Sequence, residues 1–193
     1  MIGANDMKKM RVTMTRADLT NIPEYALPEG FYLRLFQAGE QVEWARVETA
    51  AGEFASEAKA MERWNSEFGP HLTEFEKRCV FLENDAGKII GTTTGWYGSL
   101  VEGDEIIGRI HWVSLIPEYQ GKGLAKPLLT AAMKILEKYH MAAYLTSQTT
   151  SYKALNMYEQ YGFKPVIRDE QDAEAWIIVE EALKKTTISR YDE

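Results

Sequence analysis

Two kinds of hydrophobic pattern alternate along the chain and predict a mixed α/β fold. Short runs dense in branched and aromatic residues are typical of strands, and segments in which apolar residues recur every three or four positions are typical of amphipathic helices. Taken in order, these patterns predict a strand, two helices, three strands, a helix, a strand, a helix and two strands. The predicted strands cover residues 31–36, 78–83, 88–97, 106–116, 142–147, 163–167 and 175–179.

Helical spacing predicts about four helices. The first lies around residues 42–47, the second begins at Ser56 and ends before Gly69, and the last two cover residues 123–139 and 151–161. Pro127 falls in the first turn of its helix, where no intrahelical N–H is lost. Gly162 follows the last helix at a position that favours a left-handed residue. The chain is therefore expected to form a single α/β (α+β) domain with about seven strands.

The two ends of the chain lack clear periodicity. Residues 1–30 contain Pro23 and Pro28 and are expected to form an N-terminal extension packed on the domain, which could include a short strand at residues 11–14. Residues 31–183 are expected to form the domain itself. Residues 184–193 are polar and are expected to form a loose tail.

Composition and charge exclude several classes of protein. The 193 residues are 45% hydrophobic and 26% charged, which is typical of one globular domain. A net charge of −7 argues against a nucleic-acid partner, because neutralising many phosphates requires a basic excess. No apolar stretch approaches the roughly 18 residues of a membrane span, and the N-terminus lacks the apolar region of a signal peptide. A cytoplasmic protein without a membrane partner is expected.

The cysteine and histidine content gives no sign of a metal site. Cys79 is the single cysteine and lies in an apolar run, which favours a buried core residue in a reducing compartment. His71, His111 and His140 do not combine with it at metal-ligand spacing. No metal is expected.

The segment with the clearest chemistry joins the strand at 106–116 to the helix at 123–139. Gly121 and Gly123 allow the backbone to approach a ligand closely, and the first amides of the following helix have no internal acceptors. Together with the helix dipole, this turn predicts a site for a phosphate-bearing anion, to which Lys122 adds positive charge. The residues of the turn are Gln120, Gly121, Lys122, Gly123, Leu124 and Ala125.

Other phosphate-binding motifs fit this turn less well. A dinucleotide fingerprint requires a third glycine where the chain has Lys126, and the P-loop pattern is absent. A nucleotide-binding protein that uses the same anion site is nevertheless an alternative.

Two motifs resemble the GNAT (Gcn5-related N-acetyltransferase) superfamily. The turn resembles the acetyl-CoA signature Gln/Arg-x-x-Gly-x-Gly/Ala, with Gln120, Gly123 and Ala125 at the defining positions. Residues 154–163 resemble the family's A-x-x-x-Y-x-x-x-G-F helix and place Tyr158 at its tyrosine. The motifs occur in the family's order, and the resemblance covers residues 31–179.

This resemblance implies a mostly antiparallel twisted sheet that splays between its fourth and fifth strands, here residues 106–116 and 142–147. It implies that the amides of the turn hold the coenzyme A pyrophosphate. Backbone groups of Val113, Ser114 and Leu115 would pair with pantetheine in the gap, and one such amide would stabilise the oxyanion. Ser151 stands where the family usually has Asn, and Asn156 could reach the cofactor.

The resemblance also implies catalytic roles. Tyr158 would protonate the departing thiolate, although a helix tyrosine can also simply pack on the sheet. His111 is a candidate general base, because strand alternation puts it on the same face as Val113 and its ordinary pKa suits the task. Glu83 and Glu105 are weaker candidates for the base. The family's acceptor pocket would lie near Trp96, Tyr97 and residues 40–68.

The resulting prediction is an acetyl-CoA-dependent N-acetyltransferase without a metal. It would transfer the acetyl group to a primary amine of an unidentified small-molecule acceptor, by direct attack in a ternary complex. A homodimer is the commonest assembly for such a protein. The alternative from a different class is a non-catalytic acyl-CoA-binding sensor or scaffold with the same fold.

Overall fold

The computed structural model of the protein describes residues 7–184, so the first six residues and most of the predicted tail lie outside the described part. Its seven strands are β1 (Arg11–Arg16), β2 (Phe31–Leu35), β3 (Cys79–Asn84), β4 (Ile89–Gly98), β5 (Ile107–Leu115), β6 (Ala143–Gln148) and β7 (Lys164–Pro165). Its six α-helices are α1 (Gln41–Ala50), α2 (Glu57–Glu67), α3 (Leu72–Arg78), α4 (Ala125–Tyr139), α5 (Tyr152–Gln160) and α6 (Glu170–Leu183).

The chain divides into two compact units. The central unit comprises residues 19–141, and the terminal unit combines the described residues before 19 with those from 142 onward. Every strand pairing within each unit is antiparallel. The mixed α/β fold with seven strands is therefore confirmed, whereas the domain boundaries and the splay between the fourth and fifth strands stay predictions.

The central unit is built on the strand order β2-β3-β4-β5. Helices α1 and α2 pack against each other, and α4 packs on β4 and β5. The approach of α4 requires a glycine at position 95, because a Cβ there would lie 2.9 Å from the carbonyl oxygen of Ala132. The core of this unit is rich in aromatic rings, among them Trp44, Trp64, Phe68, Phe75, Phe81 and Trp96.

The terminal unit consists of β1 between β6 and β7, with α5 and α6. The predicted strand at 11–14 is thus a full strand, β1, and its partners come from the far end of the sequence. Helix α6 packs on β1 and buries Asp172, Ala175, Trp176 and Val179, which are spaced as one face of a helix.

One predicted element is wrong in the structure, and one helix of the structure was not predicted. The predicted strand at 175–179 is wrong, because these residues lie inside α6. The side chain of Asp169 caps that helix by accepting from the amide of Asp172. This cap favours a helix more than the β-branched residues at 177–179 favour a strand. The two-turn helix α3 has no counterpart in the prediction, because its seven residues are too few to show helical periodicity.

Candidate functional site

The glycine turn has the geometry that an anion site needs. Gly121 and Gly123 have φ of +73° and +79°, and nothing lies within 4 Å of an ideal Cβ at either position. Gln120 donates from Nε2 to the carbonyl oxygen of Leu115 at 3.0 Å, which ties the turn to the end of β5. Bare backbone is therefore presented to the surroundings in an orientation that glycine alone adopts cheaply.

The turn leads into an uncapped helix. Among the described residues, no side chain caps the N-terminus of α4 at Leu124, and its first turn contains no acidic residue. The positive end of a 15-residue helix is thus available to a negative group. Lys122 adds a further charge: its ammonium lies 4.6 Å from the ring centre of Tyr119, whose hydroxyl accepts from Asn84 Nδ2 at 2.9 Å.

A bulge interrupts β5 just before the turn. In the pairing with β4, Thr94 stands opposite His111 and Thr92 opposite Ser114, so Thr93 alone faces two residues, Trp112 and Val113. Trp112 has φ of +49°, a left-handed conformation that is strained for a side chain of this size. Such bulges re-aim the backbone groups of a strand.

The bulge corrects the sequence prediction for His111. Alternation was expected to put His111 and Val113 on the same face of the strand. The extra residue shifts the alternation, and His111 instead shares its face with Ser114, because the residues opposite them are two positions apart on β4. No sequence pattern in β5 indicates this insertion.

Glu67, the last residue of α2, holds the side chains next to the bulge. Its Oε1 lies 2.6 Å from His111 Nε2, and its Oε2 accepts from Trp112 Nε1 at 3.2 Å. Arg63 Nε donates to Oε2 at 2.8 Å, and Arg109 lies 3.9 Å from Oε1. Sequence reasoning did not identify Glu67, because its partners His111 and Trp112 lie more than forty positions away on another element.

The pKa values of this cluster favour a neutral histidine on an ionised carboxylate. Burial acts to raise the pKa of Glu67, but the hydrogen bond and charge of His111, the charge of Arg63 and the bond from Trp112 lower it to about 2. Burial lowers the pKa of His111 to about 4, against the bond to Glu67, so the ordinary pKa expected from the sequence does not hold in the structure. With Nε2–H donating to Glu67, the Nδ1 of a neutral imidazole carries a free lone pair.

Aromatic rings form the surroundings of the bulge. The ring centre of Trp112 lies 5.1 Å from that of Phe54 and 5.7 Å from that of Trp44. Phe68, the residue after Glu67, packs edge-on against Trp96 and His111. Aromatic rings therefore pack around Trp112 and against one side of His111.

Comparison with known proteins identifies the family. Residues 40–163 match the model of the acetyltransferase (GNAT) family. The chain belongs to this family. It is 32% identical over 166 residues to a mycothiol acetyltransferase of Pseudarthrobacter chlorophenolicus, and 30% identical over 163 residues to one of Arthrobacter sp. strain FB24. Each alignment covers 82% of this chain and 49% of the relative, so the chain spans about half the length of these curated relatives.

Solved structures with the same fold include other GNAT proteins. A GCN5-related N-acetyltransferase of Sphaerobacter thermophilus superposes with a TM-score of 0.65 at 22% identity, over 83% of this chain and 49% of that one. A protein of Pyrococcus horikoshii gives a TM-score of 0.58 at 23% identity, over 72% of this chain and 92% of that one. These likenesses confirm the GNAT fold.

The remaining predicted site residues of this acetyltransferase lie in the terminal unit. Tyr158 is buried on α5, and its backbone carbonyl accepts from the amide of Phe163. Ser151 directly precedes α5, and Asn156 is half-buried on it. The roles predicted for these three residues stay predictions.

The other nucleophile and base candidates have different surroundings. Cys79 is fully buried, and burial raises the pKa of its thiol to about 12, so it is not an activated nucleophile. Glu83 is held in an ion pair with Arg34 at 2.6 Å, and Glu105 is exposed between β4 and β5. Neither carboxylate is part of the Glu67 cluster.

Two searches of the described residues gave no candidates. Over residues 7–184, no three histidine, cysteine, aspartate or glutamate side chains come together as a group that could hold a metal ion. No helix in that part of the chain has the length and apolar character needed to cross a membrane.

Proposed function

We propose that this acetyltransferase uses acetyl-CoA to acetylate a primary amine of a small molecule, by direct attack in a ternary complex. The observation that carries the proposal is one chain of elements within the central unit. Beginning at the Glu67–His111 pair, it continues through the β5 bulge and ends at the uncapped glycine turn 120–125. The proposed proton acceptor, the redirected backbone groups and the proposed anion site thus follow one another along β5 and the turn after it.

The turn fits the diphosphate of coenzyme A. The backbone at Gly121 and Gly123 is unobstructed, and the helix end that follows is positive and uncapped. These residues would bind the diphosphate through main-chain amides, with Lys122 as a counter-charge. Backbone groups of Val113, Ser114 and Leu115 would align the pantetheine, and an amide at the bulge would hold the carbonyl oxygen as charge develops on it.

His111 is the proposed base for the acceptor amine. Attack requires a neutral amine nitrogen, and the proton that it loses needs an acceptor. Glu67 fixes the imidazole in one orientation and would stabilise the imidazolium after proton transfer. The reaction joins nitrogen to the acyl carbon, breaks the carbon–sulfur bond and delivers a proton to the thiolate, for which the family motif indicates Tyr158.

The choice of a small-molecule acceptor rests on the relatives. Curated relatives are named mycothiol acetyltransferases, which favours a small acceptor over a protein substrate. Because the chain covers only about half of their length, a panel of amines is needed to identify the acceptor.

Thiol release tests the proposal. The protein should release free thiol from acetyl-CoA in the presence of at least one small primary amine, with formation of the matching amide detected by mass spectrometry. Tyr158→Phe should lower kcat and leave the affinity for acetyl-CoA nearly unchanged. Equal kcat in the two proteins would remove Tyr158 from the mechanism.

A glycine pair tests the cofactor site separately. Gly123→Asp places a carboxylate in the turn and should weaken binding of acetyl-CoA in calorimetry by about tenfold or more, through like-charge repulsion. Gly87→Asp is the matched control, since Gly87 also has a positive φ of +72° and open space but lies in the β3–β4 hairpin. Equal affinities in the two variants would contradict the assignment of the turn.

The sensor alternative predicts a different pattern. A non-catalytic acyl-CoA-binding protein would bind acetyl-CoA with the same dependence on Gly123 and release no thiol with any amine. The Glu67–His111 pair argues for the enzyme, because binding alone does not need a buried imidazole held by a carboxylate.

A further inference from the structure

A second carboxyl group, Glu48, lies on the other flank of the β5 bulge. It is on α1, its side chain is fully buried, and its Oε2 accepts from the hydroxyl of Ser114 at 2.7 Å. Ser114 follows the bulge residues Trp112 and Val113 directly. The bulge is therefore tied to α1 through Ser114, just as His111 and Trp112 tie it to α2 through Glu67.

Glu48 is a costly residue at this position. Its Oε1 is buried and has no hydrogen-bond partner among the described residues. Burial raises the pKa of this carboxyl group to about 8, although the bond from Ser114 opposes the rise. An apolar side chain would fill the same space without this cost of desolvation. Packing alone therefore does not account for a carboxyl group under the bulge.

We propose that Glu48 is a positioning residue for acyl transfer: through Ser114 it fixes the β5 bulge, so that backbone amides there meet the carbonyl oxygen of the acyl donor. This inference rests on the proposed acetyltransferase activity and adds to it a residue that touches neither substrate. The bulge needs such support because the left-handed Trp112 would otherwise relax toward an ordinary strand conformation.

The protonation state of Glu48 matters to this role. As a neutral acid it accepts the Ser114 hydroxyl without placing charge beneath the bulge. Once ionised, it would put a buried negative charge close to the amides that must stabilise a developing oxyanion, and would weaken their effect. Transfer should therefore slow as the pH rises through the pKa of Glu48.

Few other ionisable groups face Glu48. Glu53, just after α1, raises its pKa, and Cys79 on β3 is close enough to experience its charge. The part of β4 opposite Ser114 contributes Thr92, which does not ionise. Helix α2 packs on α1 with Ala60 and Trp64 inward. Its carboxylate nearest the core, Glu67, is bound to His111 and ionises in a much lower pH range.

The test is the pH profile of kcat for Glu48→Gln. Glutamine keeps the shape and an acceptor oxygen for Ser114 but cannot ionise. The unaltered protein should lose about tenfold in kcat for each pH unit above about 8, whereas Glu48→Gln should show no such loss up to about pH 9.5. Val47→Ala, also fully buried on α1, is the control for a loosened core and should keep the profile of the unaltered protein.

The second measurement is kcat after removal of the hydrogen bond between Glu48 and Ser114. Glu48→Ala and Ser114→Ala should each lower kcat at pH 7 by about tenfold to a hundredfold, the range for loss of an oriented oxyanion donor, with little change in KM for acetyl-CoA. The double variant should lose no more than the worse single variant, because both act through one contact. A Glu48→Gln protein that keeps the fall above pH 8 would overturn the positioning role alone. No thiol release by the unaltered protein with any amine would overturn the proposed activity, and this role with it.

Discussion

On each side of the β5 bulge a carboxyl group from a helix holds side chains of the strand, and the two carboxyl groups are in opposite protonation states. Glu67 on α2 holds His111 and Trp112, and its pKa is lowered to about 2. Glu48 on α1 holds Ser114, and its pKa is raised to about 8. At neutral pH the first carboxyl group is ionised and the second is neutral.

The difference teaches that burial raises the pKa of a carboxyl group unless its partners outweigh that effect. Burial acts to raise the pKa of both groups. Glu67 overcomes it because an imidazole, an indole N–H and the charge of Arg63 all favour its ionised form. Glu48 meets only one hydroxyl, which cannot offset its complete desolvation. A charged flank lies next to the proposed base, and a neutral flank lies beneath the proposed oxyanion amides.

The largest effect on stability is expected from removal of the Glu67 carboxylate. Glu67→Ala leaves His111 and Trp112 without their acceptor and Arg63 without its counter-charge. We expect a loss of about 2 kcal/mol in the free energy of unfolding, because the His111 and Trp112 donors are left without their acceptor. Urea unfolding at pH 7 measures it.

The control for this loss is Glu62→Ala on the same helix. Glu62 pairs with Lys59 at the surface, and both side chains are largely exposed, so its removal should change stability little. If the two variants unfold at the same urea concentration, the Glu67 contacts do not support the bulge.

Glu48 should make the free energy of unfolding fall as the pH rises, which is opposite to the effect of the lowered pKa of Glu67. Because the folded-state pKa of Glu48 lies above its unfolded value, its stabilising effect is complete below about pH 4.5 and is lost as the pH rises toward about 8. One extra proton in the folded state corresponds to about 1.4 kcal/mol of stability per pH unit in this window.

Glu48→Gln isolates this contribution. Between about pH 7 and pH 8, the stability of the unaltered protein relative to the variant should fall by about 1 kcal/mol, because Glu48 is already half ionised at pH 8 in the folded protein; urea unfolding measures it. Glu67 and His111 do not interfere, since their lowered pKa values confine their effects to more acidic solutions. A constant difference between the two proteins would show that Glu48 is ionised throughout.

Local patterns in the sequence predict the glycine turn and the start of α4. Two glycines, a proline in the first helical turn and the absence of acids after Gly123 are local features, and local features determine both. The family motif around Tyr158 is also local, but the role that it implies for Tyr158 stays a prediction. Contact geometry across elements is different, because neither Glu67 nor Glu48 lies near its partner in sequence.

One signal could have identified Glu48. It lies four residues after Trp44 and one after Val47, on the buried stripe of α1, where a carboxyl group is out of place. The bulge had no such signal, so His111 was assigned to the wrong face. The segment 175–179 misled because its β-branched residues resemble a strand, whereas the Asp169 cap and the spacing of Asp172, Trp176 and Val179 indicate a helix.

The smallest effect on stability is expected at His140, away from the bulge. The buried cation Arg78 lies next to this histidine, and no carboxylate among residues 7–184 contacts its ring. Arg78 Nη1 lies 3.3 Å from His140 Nε2, and its guanidinium lies over the rings of Tyr97 and Tyr139. Burial and Arg78 lower the pKa of His140, so its contribution to stability is present above the unfolded pKa and is lost as the pH falls below about 6.5.

His140→Gln should therefore reduce the loss of stability in mild acid, by less than about 1 kcal/mol because the ring is partly open to solvent. His71→Gln makes the same replacement at an exposed position and is the control for the substitution itself. If His140→Gln steepened the loss instead, the protonated imidazole would have to gain a partner that outweighs Arg78. The comparison of Glu67 and Glu48 indicates that a pKa shift changes direction when the contacting groups outweigh burial. The neighbouring tyrosine rings would then have to be counted among those groups, since a cation can also be held by an aromatic face.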